Sequence, residues 1–380
     1  MSNPFRAGSK GGRYLYYALF SSGLLSFYLL PLWSGIFSES YGLAGSQVGV
    51  LLAADMGAGT VASLLARFWI HRVRWRPVLW MSITSTAALN AFSAIATDYH
   101  ALLVIRLAAG FGAATMMAFA YAALASADNP NREFSIALAA QVAVGAVLLL
   151  LSSKLLQLDG PEAVFLLAAA ASMLPVLFYR YFPHKNPAPA VLDAPLDALP
   201  GKPVSLALLA VVLFMTALTA IWVFVERLGV NQGFGHVSIG IVLSGGLAFS
   251  FAGAISPSWL VSYVSRDRLV TVGYGALLMT LIMLSTPSVI WMFALAICVY
   301  NFFYSFVMPL QSAWISSSDS SGRNAVLVPV AQGVGATLGP IAAGLAMDSF
   351  GLYSVIALSI LCLLLSYTSV QAAGDSLSPV

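Results

Sequence analysis

The stretch that decides the fold is residues 46–79, SQVGVLLAADMGAGTVASLLARFWIHRVRWRPVL. Its first part, residues 46–68, is long and apolar enough to cross a bilayer as a helix, since roughly 20 apolar residues span the hydrocarbon core. Asp55 is the one carboxylate in this part, and four arginines lie at its end and in the loop that follows. The stretch therefore predicts a membrane-spanning helix that ends in a basic loop.

The composition of the whole chain agrees with this interpretation. Of its 380 residues, 60% are hydrophobic and 8% are charged, whereas a soluble domain carries about 25% charged residues. So few charges suit a surface that is covered by lipid. The net charge of +3 is too small to indicate nucleic acid as a partner. Cys298 and Cys362 both lie inside apolar runs, so no disulfide framework is predicted.

Eleven further segments of the same kind predict an all-α membrane protein of twelve transmembrane helices. The first six cover residues 14–36, 46–68, 77–96, 100–124, 133–156 and 162–181, and the second six cover 204–228, 237–260, 268–286, 288–314, 325–347 and 350–371. Between the two sets, residues 183–203 are rich in proline and form a long polar stretch. We therefore expect a six-helix bundle at 1–182, a cytoplasmic linker at 183–203 and a second six-helix bundle at 204–380.

The positions of lysine and arginine predict the orientation, because cytoplasmic loops retain these residues. Of the 17 Lys and Arg residues, fourteen fall on one side if the N-terminus is cytoplasmic. The opposite side holds only Lys154 and Arg227, and Arg106 lies inside a helix. We expect a multi-pass protein of a bacterial inner membrane with both termini in the cytoplasm.

The two halves resemble each other at a shift of about 190 residues. Residues 47–52 fall on 238–243, Gln141 falls on Gln332, and the basic loop 71–79 falls on 262–270. Three matches in one register predict two pseudo-symmetric bundles in parallel repeat. Secondary transporters with this architecture hold the solute between the halves near the midplane of the membrane.

Three motifs resemble those of the major facilitator superfamily. Residues 71–79, HRVRWRPVL, resemble the family loop Asp-Arg-x-Gly-Arg-Arg-Pro-x-Leu, with His71 and Arg74 in place of the family's Asp and Gly. The matching residues are Arg72, Arg76, Pro77 and Leu79. Residues 106–112 resemble Arg-x-x-x-Gly-x-Gly, which is associated with proton-coupled members. Residues 335–340, in helix eleven, resemble the Gly-x-x-x-Gly-Pro motif.

The resemblance covers the whole chain and implies the major facilitator fold, transport by alternating access and a gating role for Arg72 and Arg76. Antiporters of the family carry the Gly-x-x-x-Gly-Pro motif in helix five, where this chain has only Gly145. That difference weakens an efflux function without excluding it.

Three charged residues are predicted within the membrane, where a charge costs about 3 kcal/mol or more and marks a functional position. Asp55 and Arg106 belong to the same half and are expected to pair, either as a structural ion pair or with a part in transport. Glu226 lies next to Arg227 and has no other evident cation in its half. It is either an interfacial carboxylate or a proton-titrating group. Asp55 and Glu226 are therefore the candidates for proton coupling.

Polar and aromatic residues on helices that face the central cavity in this superfamily are candidate solute ligands. A buried glutamine offers both a donor and an acceptor, but an interhelical hydrogen bond would use it equally well. Asn301 and Tyr304 are three residues apart and share a helix face. The predicted solute-binding set is Tyr28, Arg106, Gln141, Asn301, Tyr304 and Gln332.

These observations predict a secondary transporter that moves a small amphipathic or aromatic solute by proton-coupled symport. The alternatives are a proton-antiport exporter of drugs or metabolites, a channel and a membrane enzyme. The four histidines, His71, His100, His184 and His236, are placed at membrane edges or in loops. Without a His-Glu-x-x-His motif or clustered cysteines, neither a metal centre nor a cofactor nor an enzymatic activity is predicted. The expected partners are the solute, protons and the bilayer, and we expect the protein to act as a monomer.

Overall fold

The computed structural model describes residues 10–70, 72–183, 201–286, 289–317 and 323–377, and within these ranges all regular structure is helical. His71, most of the predicted linker (184–200) and Ser288 lie outside the described residues.

Six helical rods precede the linker. Two of them are interrupted: the first contains α1 and α2, and the sixth contains α7 and a 3₁₀ segment. The helices are α1 (Lys10–Ser22), α2 (Leu25–Glu39), α3 (Gly45–Trp69), α4 (Trp75–Ser93), α5 (Tyr99–Ala125), α6 (Pro130–Asp159) and α7 (Pro161–Ser172), and the 3₁₀ segment is Leu174–Tyr181.

Six more rods follow, each a single described helix. They are α8 (Lys202–Asn231), α9 (His236–Leu260), α10 (Arg266–Ser285), α11 (Ile290–Ser317), α12 (Arg323–Phe350) and α13 (Ser354–Leu377).

Each of the twelve predicted spans coincides with one of these rods. Among the described residues, eleven rods are long and apolar enough to cross a membrane by length and composition. The other rod is α4, whose 19 residues carry Ser82, Thr86, Asn90 and Ser93 among its buried positions. The polar residues of α4 face the protein interior, so its low hydropathy is compatible with a spanning helix.

Local sequence explains where several helices begin. The Asp98 side chain accepts a hydrogen bond from the amide of Ala101 at 2.9 Å and thereby caps the start of α5. Asn129 caps α6 in the same way, and Pro130 occupies its first turn, where a missing amide hydrogen costs nothing. Gly160 separates α6 from α7 with a φ of 83°, a conformation that glycine adopts without steric cost.

The described residues group into two compact units by their contacts. Unit 1 takes those within Met1–Leu32 and Ala54–Leu192, and unit 2 takes those within Trp33–Ala53 and Asp193–Val380. The boundaries near the N-terminus thus fall inside α2 and α3. The division into a bundle at 1–182, a cytoplasmic linker at 183–203 and a bundle at 204–380 stays a prediction.

The core of unit 1 lies where α1, α4 and α5 pack together. Trp75 and Phe119 meet edge to face, with ring centroids 4.7 Å apart, and both are fully buried. The Trp75 indole donates a hydrogen bond to the carbonyl of Ile70 at 2.9 Å. This contact fixes the start of α4 after the basic loop.

In unit 2, the start of α3 is capped by a side chain from α12. Asp348 accepts hydrogen bonds from the amides of Gly45, at 2.7 Å, and Ser46, at 2.8 Å. A carboxylate at a helix N-terminus satisfies unpaired amides and interacts favourably with the helix dipole.

Candidate functional site

Asp55 and Arg106 meet in the interior of unit 1. The Arg106 Nη1 atom lies 3.5 Å from Asp55 Oδ2, and the two side chains are 0% and 1% exposed. α3 carries the carboxylate and α5 carries the guanidinium. The structure therefore brings together the two residues that the sequence analysis expected to pair.

A polar network on α4 and α7 surrounds Arg106. Its Nη2 atom donates to the Asn90 side-chain oxygen and to the Ser93 hydroxyl, each at 2.8 Å. The Asn90 amide in turn donates to Ser172 at 3.1 Å. Sequence reasoning did not single out these partners, although the spacing of Asn90 and Ser93 in a membrane helix was a signal that could have found them.

Glu226 is buried in unit 2 and contacts a histidine. Its Oε1 atom lies 2.5 Å from His236 Nδ1, and the Glu226 side chain is fully buried. His236 Nε2 lies 3.8 Å from the carboxylate of Glu39 at the end of α2. In the sequence, Glu226 has no evident cation in its half except Arg227; the structure adds a histidine partner, because the turn after α8 brings His236 at the start of α9 beside the carboxylate.

Arg227 points away from its neighbour in sequence. It donates a hydrogen bond to the Ser38 hydroxyl at 2.8 Å, since adjacent residues of a helix project in different directions. Glu226 Oε2 is buried and has no hydrogen-bond partner among the described residues. This carboxylate oxygen is a site where a proton could be held in the interior.

Gly35 of α2 lies against that oxygen. A β-carbon built on Gly35 would lie 2.6 Å from Glu226 Oε2 and 3.2 Å from its carboxyl carbon. The absence of a side chain at residue 35 allows the backbone of α2 to approach the buried carboxylate.

We expect the substitution Gly35→Ala to destabilise the protein by about 1 kcal/mol, the low end of the usual cost of overpacking, because the methyl group meets only the end of one side chain. The added methyl group would displace the Glu226 carboxylate from its position beside His236. Thermal unfolding of the purified protein measures the effect. The control is Gly245→Ala in α9, where a β-carbon meets nothing within 4 Å; equal melting temperatures for the two variants would contradict the expected clash.

A further buried carboxylate, Glu133 in the first turn of α6, was not counted among the membrane charges. Its side chain accepts a hydrogen bond from the Tyr17 hydroxyl and lies 3.7 Å from Arg13 Nη1. It is 3% exposed. Its position at the predicted start of a span concealed it, because a carboxylate there is normally solvated. Its partners satisfy it, which suits a structural role.

Two of the predicted solute ligands, Tyr28 and Gln141, are buried in unit 1. Tyr28 is buried, and its ring lies against Gly145 of α6, where a β-carbon would approach it to within 2.5 Å. Gln141 lies one helical turn before Gly145 and is also buried. Its side-chain nitrogen has no hydrogen-bond partner among the described residues. A buried amide with a free donor next to an aromatic ring is suited to a polar aromatic solute.

The predicted solute ligands in unit 2 are Asn301, Tyr304 and Gln332, and they differ from one another in burial. Asn301 is buried, donates to the carbonyl of Ile297 at 2.9 Å and accepts from Ser250 at 3.1 Å. The bond to Ile297 lies within α11, and the bond from Ser250 joins α9 to α11, so Asn301 makes the kind of interhelical hydrogen bond that the sequence analysis considered for the buried glutamines. Tyr304 and Gln332 are half-buried, and their part in solute binding stays a prediction.

The two predicted gating residues of the basic loop differ in their exposure to solvent. Arg72 is exposed and Arg76 is half-buried. The buried anchor of this region is Trp75, which the motif comparison passed over. A gating role for Arg72 and Arg76 stays a prediction.

The helices of the described residues, eleven of them long and apolar enough to cross a membrane, define a multi-pass membrane protein with buried charges paired within each unit. The chain belongs to the major facilitator superfamily, whose family model matches residues 15–328. Membership of this family indicates the transport of small molecules across a membrane. Among curated protein sequences none matches the chain.

Solved structures of transporters share the fold. The nucleoside transporter NupG has a TM-score of 0.77 at 16% identity, and the match covers 97% of this chain and 99% of that one. A bacterial homologue of the human lysosomal transporter Spinster, in an inward-facing and occupied conformation, has a TM-score of 0.72 at 14% identity, with 99% and 98% covered. At such identities the likeness shows the fold alone.

Proposed function

We propose that this protein is a proton-coupled secondary transporter that moves a small amphipathic or aromatic solute across a bacterial inner membrane by alternating access. The observation that carries the proposal is the Glu226 carboxylate, which is fully buried, contacts His236 at 2.5 Å and keeps one oxygen without a hydrogen-bond partner among the described residues. A buried carboxylate with one oxygen that accepts no hydrogen bond is suited to bind and release a proton.

Asp55 is less suited to that task. Arg106 lies 3.5 Å from it and is held in turn by Asn90 and Ser93. The cation favours the ionised form of the carboxylate, although Asp55 Oδ2, like Glu226 Oε2, is buried without a hydrogen-bond partner among the described residues. We therefore assign proton coupling to Glu226 first. We assign to Asp55 a structural role, in which its ion pair with Arg106 stabilises unit 1.

The solute class follows from the residues around Gln141. Tyr28 offers an aromatic face, and the Gln141 amide offers an unused donor. These groups suit a ring-bearing solute with polar substituents better than a sugar. Nucleosides have this chemistry, and a protein of the same fold is described as a nucleoside transporter. They therefore belong in the first panel of compounds.

The proposal is tested with purified protein in two stages. A thermal-shift screen against nucleosides, aromatic acids and other small metabolites identifies a solute that raises the melting temperature. Uptake of that solute into liposomes is then measured with and without an imposed pH gradient. We expect saturable uptake that exceeds equilibrium only with the gradient. Uptake that never exceeds equilibrium would contradict proton coupling, and accumulation of solute on the acidic side would identify an antiporter.

The proposed orientation gives a separate prediction. Because Lys and Arg gather on one side, reporter enzymes fused at Pro195 and after Val380 should be active only in the cytoplasm, and one fused at Ser288 only in the periplasm. Paired alkaline phosphatase and fluorescent protein fusions measure this. A periplasmic C-terminus would contradict both the orientation and an even number of spans.

A further inference from the structure

We propose that His236 is a proton relay that connects Glu39 at the surface of unit 2 with the buried carboxylate of Glu226. This inference rests on the proposed function, because it specifies how the proton reaches the coupling residue. Its subject is a histidine that the sequence analysis placed at a membrane edge without a role.

The three side chains form a line from exposed to buried. Glu39 is 46% exposed, His236 is 34% exposed and Glu226 is 0% exposed. The imidazole lies between the two carboxylates, with Nδ1 2.5 Å from Glu226 and Nε2 3.8 Å from Glu39. The first separation is a direct hydrogen bond, and the second is close enough for one small shift of an exposed side chain or for a bridging water.

Among the described residues, His236 is the one side chain that is hydrogen-bonded to Glu226. Its Oε1 atom is bonded to His236, and its Oε2 atom has no hydrogen-bond partner among the residues described. Gly35 covers the Oε2 side with the backbone of α2. In this arrangement the imidazole is the route by which a proton enters or leaves.

The transfer balances with one proton and no other reactant. The Glu39 carboxyl gives its proton to His236 Nε2, which makes the ring an imidazolium and Glu39 a carboxylate. The ring then releases the proton on Nδ1 to Glu226 Oε1, which becomes a neutral carboxyl. The imidazole is left neutral with its hydrogen on Nε2, and it returns to the starting tautomer by rotation or by exchange with water. The use of both ring nitrogens is what suits histidine to the task.

The other charged groups near this line are already engaged. Arg227, on α8, donates to Ser38 at 2.8 Å. Asp348, on α12, accepts from the amides of Gly45 and Ser46. Among the described residues, the titratable groups within ion-pair distance of the imidazole are therefore Glu226 from α8 and Glu39 from α2.

The test follows protonation directly and needs no identified solute. Protein in liposomes is subjected to a rapid drop in pH, and infrared spectroscopy follows the carbonyl band of protonated carboxyl groups. The part of this band that wild type shows and Glu226→Gln lacks belongs to Glu226. We expect His236→Gln to slow the rise of that part roughly 100-fold, within the usual contribution of a positioned proton-transfer group. The exposed control His100→Gln should leave the rate unchanged.

A second variant separates relay from packing. In His236→Ala, added imidazole should restore the fast rise, whereas pyrazole, which has a similar shape but is a far weaker base, should not. A purely structural role of His236 would predict the same response to both compounds. Equal rates in wild type and His236→Gln, or equal rescue by the two compounds, would overturn the relay while leaving Glu226 as the carrier. The absence of any band difference between wild type and Glu226→Gln would overturn the proposed coupling residue itself.

Discussion

Replacing Arg106 by glutamine is expected to lower the free energy of unfolding by about 3–5 kcal/mol, the cost of removing one partner from a buried ion pair. The guanidinium is fully buried and holds Asp55, Asn90 and Ser93. Its loss would leave the buried Asp55 carboxylate without its neighbouring cation. The same reasoning predicts a comparable loss of stability for Asp55→Asn, because Arg106 would then be buried without a carboxylate beside it.

The double variant distinguishes a direct interaction from two separate effects. If the pair is coupled, Asp55→Asn combined with Arg106→Gln should lose less than the sum of the single losses. Denaturation in mild detergent measures all four proteins, and Arg74→Gln, an exposed arginine of the basic loop, is the control. Strictly additive losses would show that the two residues do not interact. Recovery of stability without recovery of transport would give the pair a further part in the transport cycle.

The substitution Glu226→Gln is expected to abolish solute accumulation driven by a pH gradient while solute exchange continues at a near-normal rate. Glutamine keeps the size and the hydrogen-bonding capacity of the side chain but cannot take up a proton. Exchange of labelled for unlabelled solute requires no net proton movement. Loss of accumulation with retained exchange is therefore the signature of a coupling residue.

Both activities are measured in the same liposomes, first with a pH gradient and then with equal pH and saturating solute on both sides. Glu162→Gln is the matched control, because Glu162 is an exposed carboxylate in the first turn of α7. A Glu226→Gln protein that still concentrates solute would remove Glu226 as the carrier and direct attention to Asp55. Loss of both activities would make Glu226 part of the solute site or of the packing.

The helices were predictable because their signal is local. A bilayer requires a fixed length of apolar sequence, and each of the twelve predicted spans coincides with a helical rod of the structure. Even α4, the rod that falls short of the apolar criterion, was placed correctly, since the charge pattern of the loops required a span there. The interruptions after Ser22 and Ser172 leave the apolar pattern intact, and the sequence signals for them were Gly23, which follows two serines, and Pro175.

The partners of the buried charges were harder to predict because they depend on how each helix is rotated about its axis. Asp55 and Arg106 could be paired by elimination, as opposite charges in one half. The contact between Glu226 and His236 joins two residues only ten apart, but it requires a turn that folds α9 back beside α8. Asn90 and Ser93 escaped notice because neutral side chains carry no charge signal, although they bind Arg106 more closely than Asp55 does.

The cap that Asp348 supplies to α3 has a consequence for biogenesis. The two amides that it binds belong to residues translated 303 and 302 positions earlier. While the ribosome is producing everything between them, the first turn of α3 has only water or lipid headgroups to satisfy those amides. The cap at the start of α3 can therefore form only after α12 has been synthesised and inserted.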